Sequence, residues 1–164
     1  MFETIKYKQK IYPKFQEEGN ASKFIMPFAK EILKGDGVDI GCNRKDWAFP
    51  GAHPIDILFD DPWDAYNLPS QEYDYIYSSH CLEHLVDWVG ALDYWKSCLK
   101  KGGVMFLYLP HFEQEYWRPW NNRKHIHILD PYIMEKYFID QGLSKVFVTK
   151  GYDAYSSFTC IVEL

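Results

Sequence analysis

The stretch VMFLYL, residues 104–109, decides the fold, because every residue in it is apolar. A short run that is apolar throughout predicts a strand buried on both faces, as in a parallel sheet with helices packed on each side. The run is far below the roughly 20 residues that a transmembrane helix needs. The sequence therefore predicts a soluble α/β protein with no membrane partner.

Strand and helix signals alternate on both sides of this run. Short apolar runs bounded by turn residues predict further strands at residues 38–41, 54–58, 73–78, 146–149 and 158–162. The last two runs are joined by a turn, Gly-Tyr-Asp-Ala-Tyr-Ser, which favours an antiparallel pair. The pattern as a whole predicts a doubly wound, mostly parallel Rossmann-like sheet with an antiparallel C-terminal strand pair.

Three helices are predicted from apolar periodicity and from their end signals. Pro27 conflicts with an uninterrupted helix over residues 21–34, so we expect the regular part to start near this proline. Asp87 is expected to cap a second helix that ends at residues 100–102, where two lysines precede a glycine. Asp130 is expected to cap the third helix.

Length and charge narrow the functional classes. We expect the 164 residues to form a single domain, 1–164, with the charged residues 1–20 as a tail or outer strap. The formal net charge is −5, from 18 Lys and Arg against 23 Asp and Glu. A chain with this balance lacks the basic face that duplex nucleic acids require, so no nucleic-acid partner is predicted.

The cysteines and the N-terminal residues bear on the cellular compartment in which the protein is expected. The four cysteines show no CxxC pairing and no metal-finger spacing; they are Cys42, Cys81, Cys98 and Cys160. This usage is typical of reduced thiols in a cytoplasmic protein. The first ten residues, MFETIKYKQK, lack the apolar core of a signal peptide. We therefore expect a cytoplasmic location.

Polar and small residues follow the predicted strands at the edge where open α/β sheets bind ligands. After or within successive strands these residues are Gly41, Cys42, Asn43, Asp56, Ser79, His80 and His111. Asp56 lies 17 residues beyond Asp39, close to the spacing at which such sheets place a carboxylate against the hydroxyls of a ribose. The pattern indicates a site for a nucleoside-containing cofactor.

Five ordered segments carry a family resemblance. They are VDIGCNRK (38–45), PIDI (54–57), DAYNLP (64–69), EYDYIYSSHCLEHL (72–85) and CLKKGGVMFLYLPH (98–111). In order and spacing they resemble class I S-adenosylmethionine-dependent methyltransferases, and most closely the type 11 small-molecule group. The resemblance covers about residues 36 to 111 and implies a transferase with S-adenosyl-L-methionine as its cofactor.

The resemblance implies a role for each matching position. Asp39 and Gly41 would form the floor beneath the methionine part of the cofactor, and Asp56 would bind the ribose hydroxyls. The implied cofactor-binding set is completed by Cys42, Asn43, Ile57, Asp64, Asn67, Leu68, Ser79 and His80. Asp64 and residues 67–68 would border the adenine, although Asp64 also fits the start of a simple turn. His84 is interpreted as a hydrogen-bonded structural residue, in preference to a ligand or a base.

The loop after Gly41 departs from the family pattern. It reads Cys-Asn-Arg-Lys-Asp-Trp, without further glycines, and leaves little room for the usual helix before the next strand. S-adenosylmethionine has no phosphate, so the glycines and helix N-terminus that hold a pyrophosphate are not all required. The backbone must approach the cofactor closely at one point, and Gly41 is suited to that position because it has no side chain. We therefore expect the cofactor to bind.

The segment 111–130 is long for a strand-to-helix connection and is interpreted as a lid or substrate loop. His111, directly after the central strand, is the predicted catalytic base or substrate hydrogen-bonder; the alternative is a histidine bonded to a backbone carbonyl. His125 and His127 are conceivable metal ligands together with His111, but no metal site is predicted.

The expected reaction is methyl transfer to a small polar acceptor. Rings, arginines and amides in the 111–130 segment suit a sugar, and the segments SSHCLEHL and LPH are similar to methyltransferase-like proteins associated with polysaccharide building. The alternative is a catalytically silent, cofactor-binding module that acts through a partner. Methylation of nucleic acids or proteins is disfavoured by the missing basic face.

Overall fold

The computed structural model describes residues 3–69 and 72–164 of the chain. Its helices are α1 (Phe15–Glu18), α2 (Ser22–Ile32), α3 (Trp88–Ser97) and α4 (Pro131–Asp140). Its strands are β1 (Thr4–Tyr7), β2 (Lys10–Pro13), β3 (Gly37–Ile40), β4 (His53–Ile55), β5 (Tyr73–Ser79), β6 (Leu99–Pro110), β7 (Lys145–Val148) and β8 (Ser157–Glu163). No helix among the described residues is long and apolar enough to cross a membrane.

The main sheet has the strand order β4-β3-β5-β6-β8-β7. The pairs β3–β4, β3–β5 and β5–β6 are parallel, whereas β8 runs antiparallel to both β6 and β7. This arrangement confirms the predicted doubly wound sheet with an antiparallel C-terminal pair. From β3 the chain goes first to β4 on one side and then to β5 on the other, so the strand order reverses at the carboxyl end of β3, where ligands bind in such sheets.

Strand β6 is buried on both faces, as its sequence predicts. Met105, Leu107 and Leu109 pack with buried residues of α3 and α4, while Phe106 and Tyr108 pack on the opposite face with buried residues of α2. Alternate side chains of a strand point to opposite faces, so one apolar run holds helices on both sides of the sheet.

Two element boundaries differ from the prediction. Pro27 lies inside α2, as its sixth residue, rather than at its start. A proline there removes only one backbone hydrogen bond, and burial of Ile25 and Ala29 on the helix face outweighs that loss. Helix α3 ends at Ser97, earlier than predicted, because Leu99 already pairs in the sheet as the first residue of β6.

The N-terminal segment is ordered as a hairpin, although its sequence predicts an irregular tail. Strands β1 and β2 are joined by the two-residue loop Lys8-Gln9, in which φ is 45° and 67°. Two positive φ values define a type I′ turn, which usually carries Asn-Gly, so Lys-Gln gives no sequence signal. The rings of Tyr7 and Tyr12 pack against Tyr116, at centroid distances of 5.1 and 5.7 Å. The hairpin therefore lies against the long segment that follows β6.

Candidate functional site

A cavity of about 690 Å³ opens at the carboxyl ends of β3, β4 and β5. Its volume lies within the range of sites that bind cofactors and other small molecules. Three parts of the chain line it: the loops after these strands, residues 17–21 of the N-terminal segment, and residues of the segment that follows β6. The cavity thus occupies the position at which a doubly wound sheet binds its ligand.

The structure brings most of the predicted site residues to this cavity. Its lining includes Gly41, Asn43, Asp56, Ile57, Asp64, Ser79 and His80. The remaining predicted residues, Asp39, Cys42, Asn67, Leu68 and His111, lie outside the lining. The roles of both groups remain predictions.

Gly41 holds the loops after β3 and β5 in contact. Its φ is 83°, and a Cβ atom at this position would lie 2.4 Å from both the Cβ and the Sγ of Cys81. The close backbone approach for which a glycine is needed is therefore made to Cys81, at the rim of the cavity. This contact brings the loop after β3 next to Ser79 and His80.

The Asp56 carboxylate is fixed by two backbone N–H groups. Asn43 donates to its Oδ2 at 2.7 Å, and Leu58 donates to its Oδ1 at 3.0 Å. Asn43 adopts a φ of 62°, a left-handed conformation that asparagine tolerates better than most residues. Each carboxylate oxygen keeps a lone pair for a further donor, so Asp56 is arranged to accept hydrogen bonds from two hydroxyls.

Asp39 lies beneath the site rather than in it. Its side chain is 1% exposed, and Oδ2 accepts a hydrogen bond from the backbone N–H of Phe49 at 2.6 Å. Burial raises the pKa of Asp39 from 3.8 to about 7, and the bond from Phe49 only partly offsets this rise. Asp39 therefore fixes the segment after β3, and its ionised form is unfavourable.

We expect Asp39→Asn to stabilise the protein at neutral and higher pH. Because the folded-state pKa of Asp39 is raised, its stabilising contribution is present below pH 4 and is lost as the pH rises to about 7. The advantage of the variant in free energy of unfolding should grow by about 1.4 kcal/mol per pH unit between pH 5 and 7 and then level off. Urea unfolding of both proteins at several pH values measures this difference in free energy of unfolding. A difference independent of pH would contradict the raised pKa of Asp39.

Of the three residues predicted to border the adenine, Asp64, Asn67 and Leu68, only Asp64 lines the cavity. Asp64 lines the cavity, and its Oδ1 accepts the N–H of Tyr66 at 2.7 Å, so it both begins a turn and faces the cavity. The side chain of Asn67 instead donates to the carbonyl of Pro62 at 3.0 Å, and Leu68 is buried in the core. Of this segment, Asp64, Ala65 and Tyr66 are therefore the residues placed to contact a ligand.

Histidines and aromatic rings form a second part of the cavity lining. His80, His84 and His125 all contribute, together with Trp117 and Tyr155. Burial lowers the pKa of each of the three histidines, that of His125 to about 3. Near neutral pH this wall therefore presents uncharged imidazoles.

His111 is placed apart from the cavity. It is 4% exposed; Nδ1 accepts the N–H of Glu113 at 3.3 Å, and Nε2 lies 3.1 Å from the carbonyl oxygen of Lys150. Both ring nitrogens are thus engaged, which matches the alternative interpretation of a histidine bonded to a backbone carbonyl. The catalytic role of His111 is untested, and the histidines of the cavity are better placed for chemistry.

Two groups of lining residues are absent from the predicted site residues. Glu17, Glu18 and neighbouring residues enter from the N-terminal segment, where the sequence has no site signal. Trp117, Lys124 and His125 belong to the segment after β6, whose length is a signal for a binding loop but does not single out residues.

The charge of the lining is unbalanced. Four carboxylates, of Glu17, Glu18, Asp56 and Asp64, face the cavity against one ammonium, that of Lys124. A concave surface of this sign attracts cations, so it suits a positively charged small molecule.

The doubly wound sheet and the cavity at its strand-order reversal define the class of α/β proteins that bind nucleoside-containing cofactors. A family model described as a methyltransferase domain matches residues 18–147. The chain therefore belongs to this methyltransferase domain family, which confirms the resemblance to class I methyltransferases.

Solved structures with the same fold agree. An S-adenosylmethionine-dependent methyltransferase from Archaeoglobus fulgidus has a TM-score of 0.67 and 15% identity, covering 92% of this chain and 99% of that chain. A chain from the complex between the Haloferax volcanii Trm112 methyltransferase activator and a methyltransferase has a TM-score of 0.66 and 13% identity, covering 92% and 91%. The N-methyltransferase NodS from Bradyrhizobium japonicum, solved with S-adenosyl-L-homocysteine, has a TM-score of 0.61 and 15% identity, covering 91% and 87%. No curated protein sequence matches the chain.

Family membership gives S-adenosylmethionine as the cofactor, and the residues present fit it. The cofactor carries a net positive charge, which matches the acidic lining, and a ribose whose two hydroxyls match the free lone pairs of Asp56. In place of a full helix, the loop after β3 contains only the 3₁₀ turn Lys45–Trp47, and a cofactor without phosphate does not need the helix.

Proposed function

We propose that this protein transfers a methyl group from S-adenosylmethionine to a small polar acceptor, with sugars and glycan precursors as the first class to test. The observation that carries the proposal is one cavity whose lining combines two kinds of chemistry. The loops after β3 and β4 contribute the fixed carboxylate of Asp56, and the end of β5 and the segment after β6 contribute uncharged histidines and aromatic rings. A methyl transferase needs such a pair of adjoining subsites, one for each reactant.

The first subsite lies over β3 and β4. Asp56 would accept hydrogen bonds from the ribose hydroxyls, and the loop at Gly41 would lie beneath the methionine part. Ile57 and Leu58 line the cavity although they are 86% and 68% exposed. A flat apolar ring such as adenine would cover these two side chains, which accounts for apolar residues at the cavity rim.

The second subsite lies between the end of β5 and the segment 111–130, which we propose is the substrate loop of the single domain 1–164. Trp117 stacks on His125, with ring planes 9° apart and centroids 5.1 Å apart. Lys124 adds a cation and Asn122 an amide to the same wall. Aromatic faces next to polar groups suit a polar ring such as a sugar.

When bound, the cofactor supplies an electrophilic methyl group on a sulfonium. The residues of this chain would hold the acceptor in line with that methyl group and exclude water from it. His80 and His84 face the second subsite as neutral imidazoles, so either can accept the proton that an acceptor hydroxyl loses when its oxygen is methylated.

The test is a methyl-transfer assay with radiolabelled S-adenosylmethionine and a panel of sugars and sugar nucleotides. We expect label to enter one acceptor class, and Trp117→Ala to lower transfer by about tenfold while cofactor affinity stays unchanged. Trp120→Ala is the matched control, because Trp120 lies in the same segment, is 61% exposed and does not line the cavity. Equal losses in both variants would argue against the proposed acceptor subsite.

A second candidate function is a catalytically silent module that binds the cofactor and acts through a partner protein. Its support is the structural likeness to a chain from a complex with the Trm112 activator. Cofactor binding without transfer to any acceptor would favour this candidate over the enzyme.

A further inference from the structure

The buried carboxylate of Glu83 has no role in the proposed methyl transfer. Glu83 lies in the 3₁₀ turn Leu82–His84 directly after β5, and its side chain is fully buried. Among the described residues, none donates a hydrogen bond to either of its carboxylate oxygens. A buried carboxylate without donors is costly, and a bound cation would offset that cost.

Three imidazoles surround this carboxylate. The distances from Glu83 Oε1 are 3.8 Å to His80 Nδ1, 3.8 Å to His84 Nε2 and 3.9 Å to His125 Nδ1. These distances are too long for hydrogen bonds, so the imidazoles do not supply the missing donors. Imidazole nitrogens and a carboxylate oxygen together form a set of metal ligands.

In His80 and His84, one ring nitrogen makes a hydrogen bond elsewhere and the other ring nitrogen lies towards Glu83. His84 Nδ1 lies 2.7 Å from the carbonyl oxygen of Lys124, so Nδ1 must carry the proton and Nε2 presents its lone pair towards Glu83. His80 Nε2 lies 2.8 Å from Ser157 Oγ, which leaves Nδ1 towards Glu83. Metal-binding histidines commonly donate their second N–H to a backbone carbonyl or another acceptor, which fixes the ring.

The geometry points to a site for one divalent first-row transition metal ion, such as Zn²⁺, held by Glu83, His84 and His125. Their ligand atoms all lie within 4.8 Å of one another. A tetrahedral zinc site needs donor atoms roughly 3.4 Å apart, so shifts of about half an ångström in side-chain position would suffice at the pairs separated by 3.8 and 3.9 Å. Two histidines and one carboxylate form a donor set that zinc and iron enzymes use, whereas Mg²⁺ prefers oxygen ligands.

The site would open into the cavity. His84 and His125 line the cavity, whereas Glu83 lies behind them. A metal ion with three protein ligands keeps a coordination position for a further oxygen. If the proposed function holds, that position would bind the acceptor hydroxyl and lower its pKa, and its proton would pass to His80 as the oxygen attacks the methyl group. Metal binding itself does not depend on this role.

The test is a calorimetric titration of the full chain, freed of metal by chelation, with Zn²⁺ alone, and a parallel titration with Mg²⁺. We expect one Zn²⁺ per chain, no measurable Mg²⁺ binding, and at least about 100-fold weaker Zn²⁺ binding in both Glu83→Gln and His125→Ala. Glu83→Gln keeps the shape of the side chain and removes a buried charge, so this variant should fold. Co²⁺ absorption should show a bound tetrahedral or five-coordinate ion in the wild type only.

The matched control is His53→Ala, which removes an exposed histidine outside the cavity and should leave Zn²⁺ affinity unchanged. Absence of Zn²⁺ binding, or one-to-one binding retained by either ligand variant, would overturn the inference. Retained binding would place the ion elsewhere, for example at a cysteine. Because no cofactor is present in this titration, its failure leaves the proposed methyl transfer untouched.

Discussion

Replacing Asp56 with alanine is expected to weaken S-adenosylmethionine binding by about 30- to 100-fold. The change removes the carboxylate that would accept the two ribose hydroxyls, and hydrogen bonds to a charged group contribute roughly 1.5–3 kcal/mol. It also removes the acceptor for the N–H groups of Asn43 and Leu58, so the rim of the cavity loses its fixed shape. Calorimetric titration with S-adenosylmethionine measures the effect.

Two further variants separate these contributions. Asp56→Asn keeps one acceptor oxygen for the backbone N–H groups but loses the charge, so its affinity should fall between those of Asp56→Ala and the wild type. Asp60→Ala removes an exposed carboxylate four residues away that does not line the cavity, and it should bind as the wild type does. If Asp56→Ala bound the cofactor with unchanged affinity, the cofactor site would have to lie elsewhere.

Gly41→Ala is expected to lower the free energy of unfolding by about 3 kcal/mol or more and to disrupt cofactor binding. A φ of 83° costs a residue with a Cβ roughly 1–2 kcal/mol. The new Cβ would also lie 2.4 Å from the side chain of Cys81, which forces the loops after β3 and β5 apart. Overpacking of this kind adds roughly 1–3 kcal/mol. Urea unfolding and cofactor titration of the same variant measure the two consequences.

Gly51→Ala is the matched control for this prediction. Gly51 has a φ of 87°, nearly that of Gly41, but a Cβ there would meet no atom of the described chain within 4 Å. Its substitution should therefore cost only the backbone strain, about 1–2 kcal/mol, and leave cofactor affinity unchanged. Equal losses in the two variants would show that the contact with Cys81 does not hold the site together.

The features predicted correctly from sequence are those that depend on local pattern. The apolar run in β6 predicts burial on both faces because a parallel strand between helix layers has no polar side. Asp87 and Asp130 cap α3 and α4 as expected, accepting hydrogen bonds from Gly90 in the first case and from Tyr132 and Ile133 in the second. Local capping and burial compete with few other interactions, so the sequence is a reliable guide to them.

The remaining features depend on contacts between distant parts of the chain. The hairpin before α1 has no turn signature and is ordered against Tyr116, more than 100 residues away. The side chain of Glu83 meets His125 only because the segment after β6 returns across the end of β5, where Ile126 donates a backbone hydrogen bond to the carbonyl of Glu83. A sequence pattern shows neither the path of that segment nor the direction of a side chain in a single 3₁₀ turn.

Asp39 shows the limit of a motif match. Its position in the sequence fits the family pattern, but the structure places its carboxylate under the site, bonded to the N–H of Phe49. The pattern locates the residue correctly at the end of β3 and does not distinguish contact with a ligand from support of the loop that makes the contact.

Calorimetric titration of the purified chain with S-adenosylmethionine and with S-adenosylhomocysteine tests the cofactor site directly. We expect saturable one-to-one binding of both, with affinity reduced in Asp56→Ala and retained in Asp60→Ala. Absence of binding by either ligand at millimolar concentration would contradict the central claim that the cavity at the ends of β3, β4 and β5 is a cofactor site.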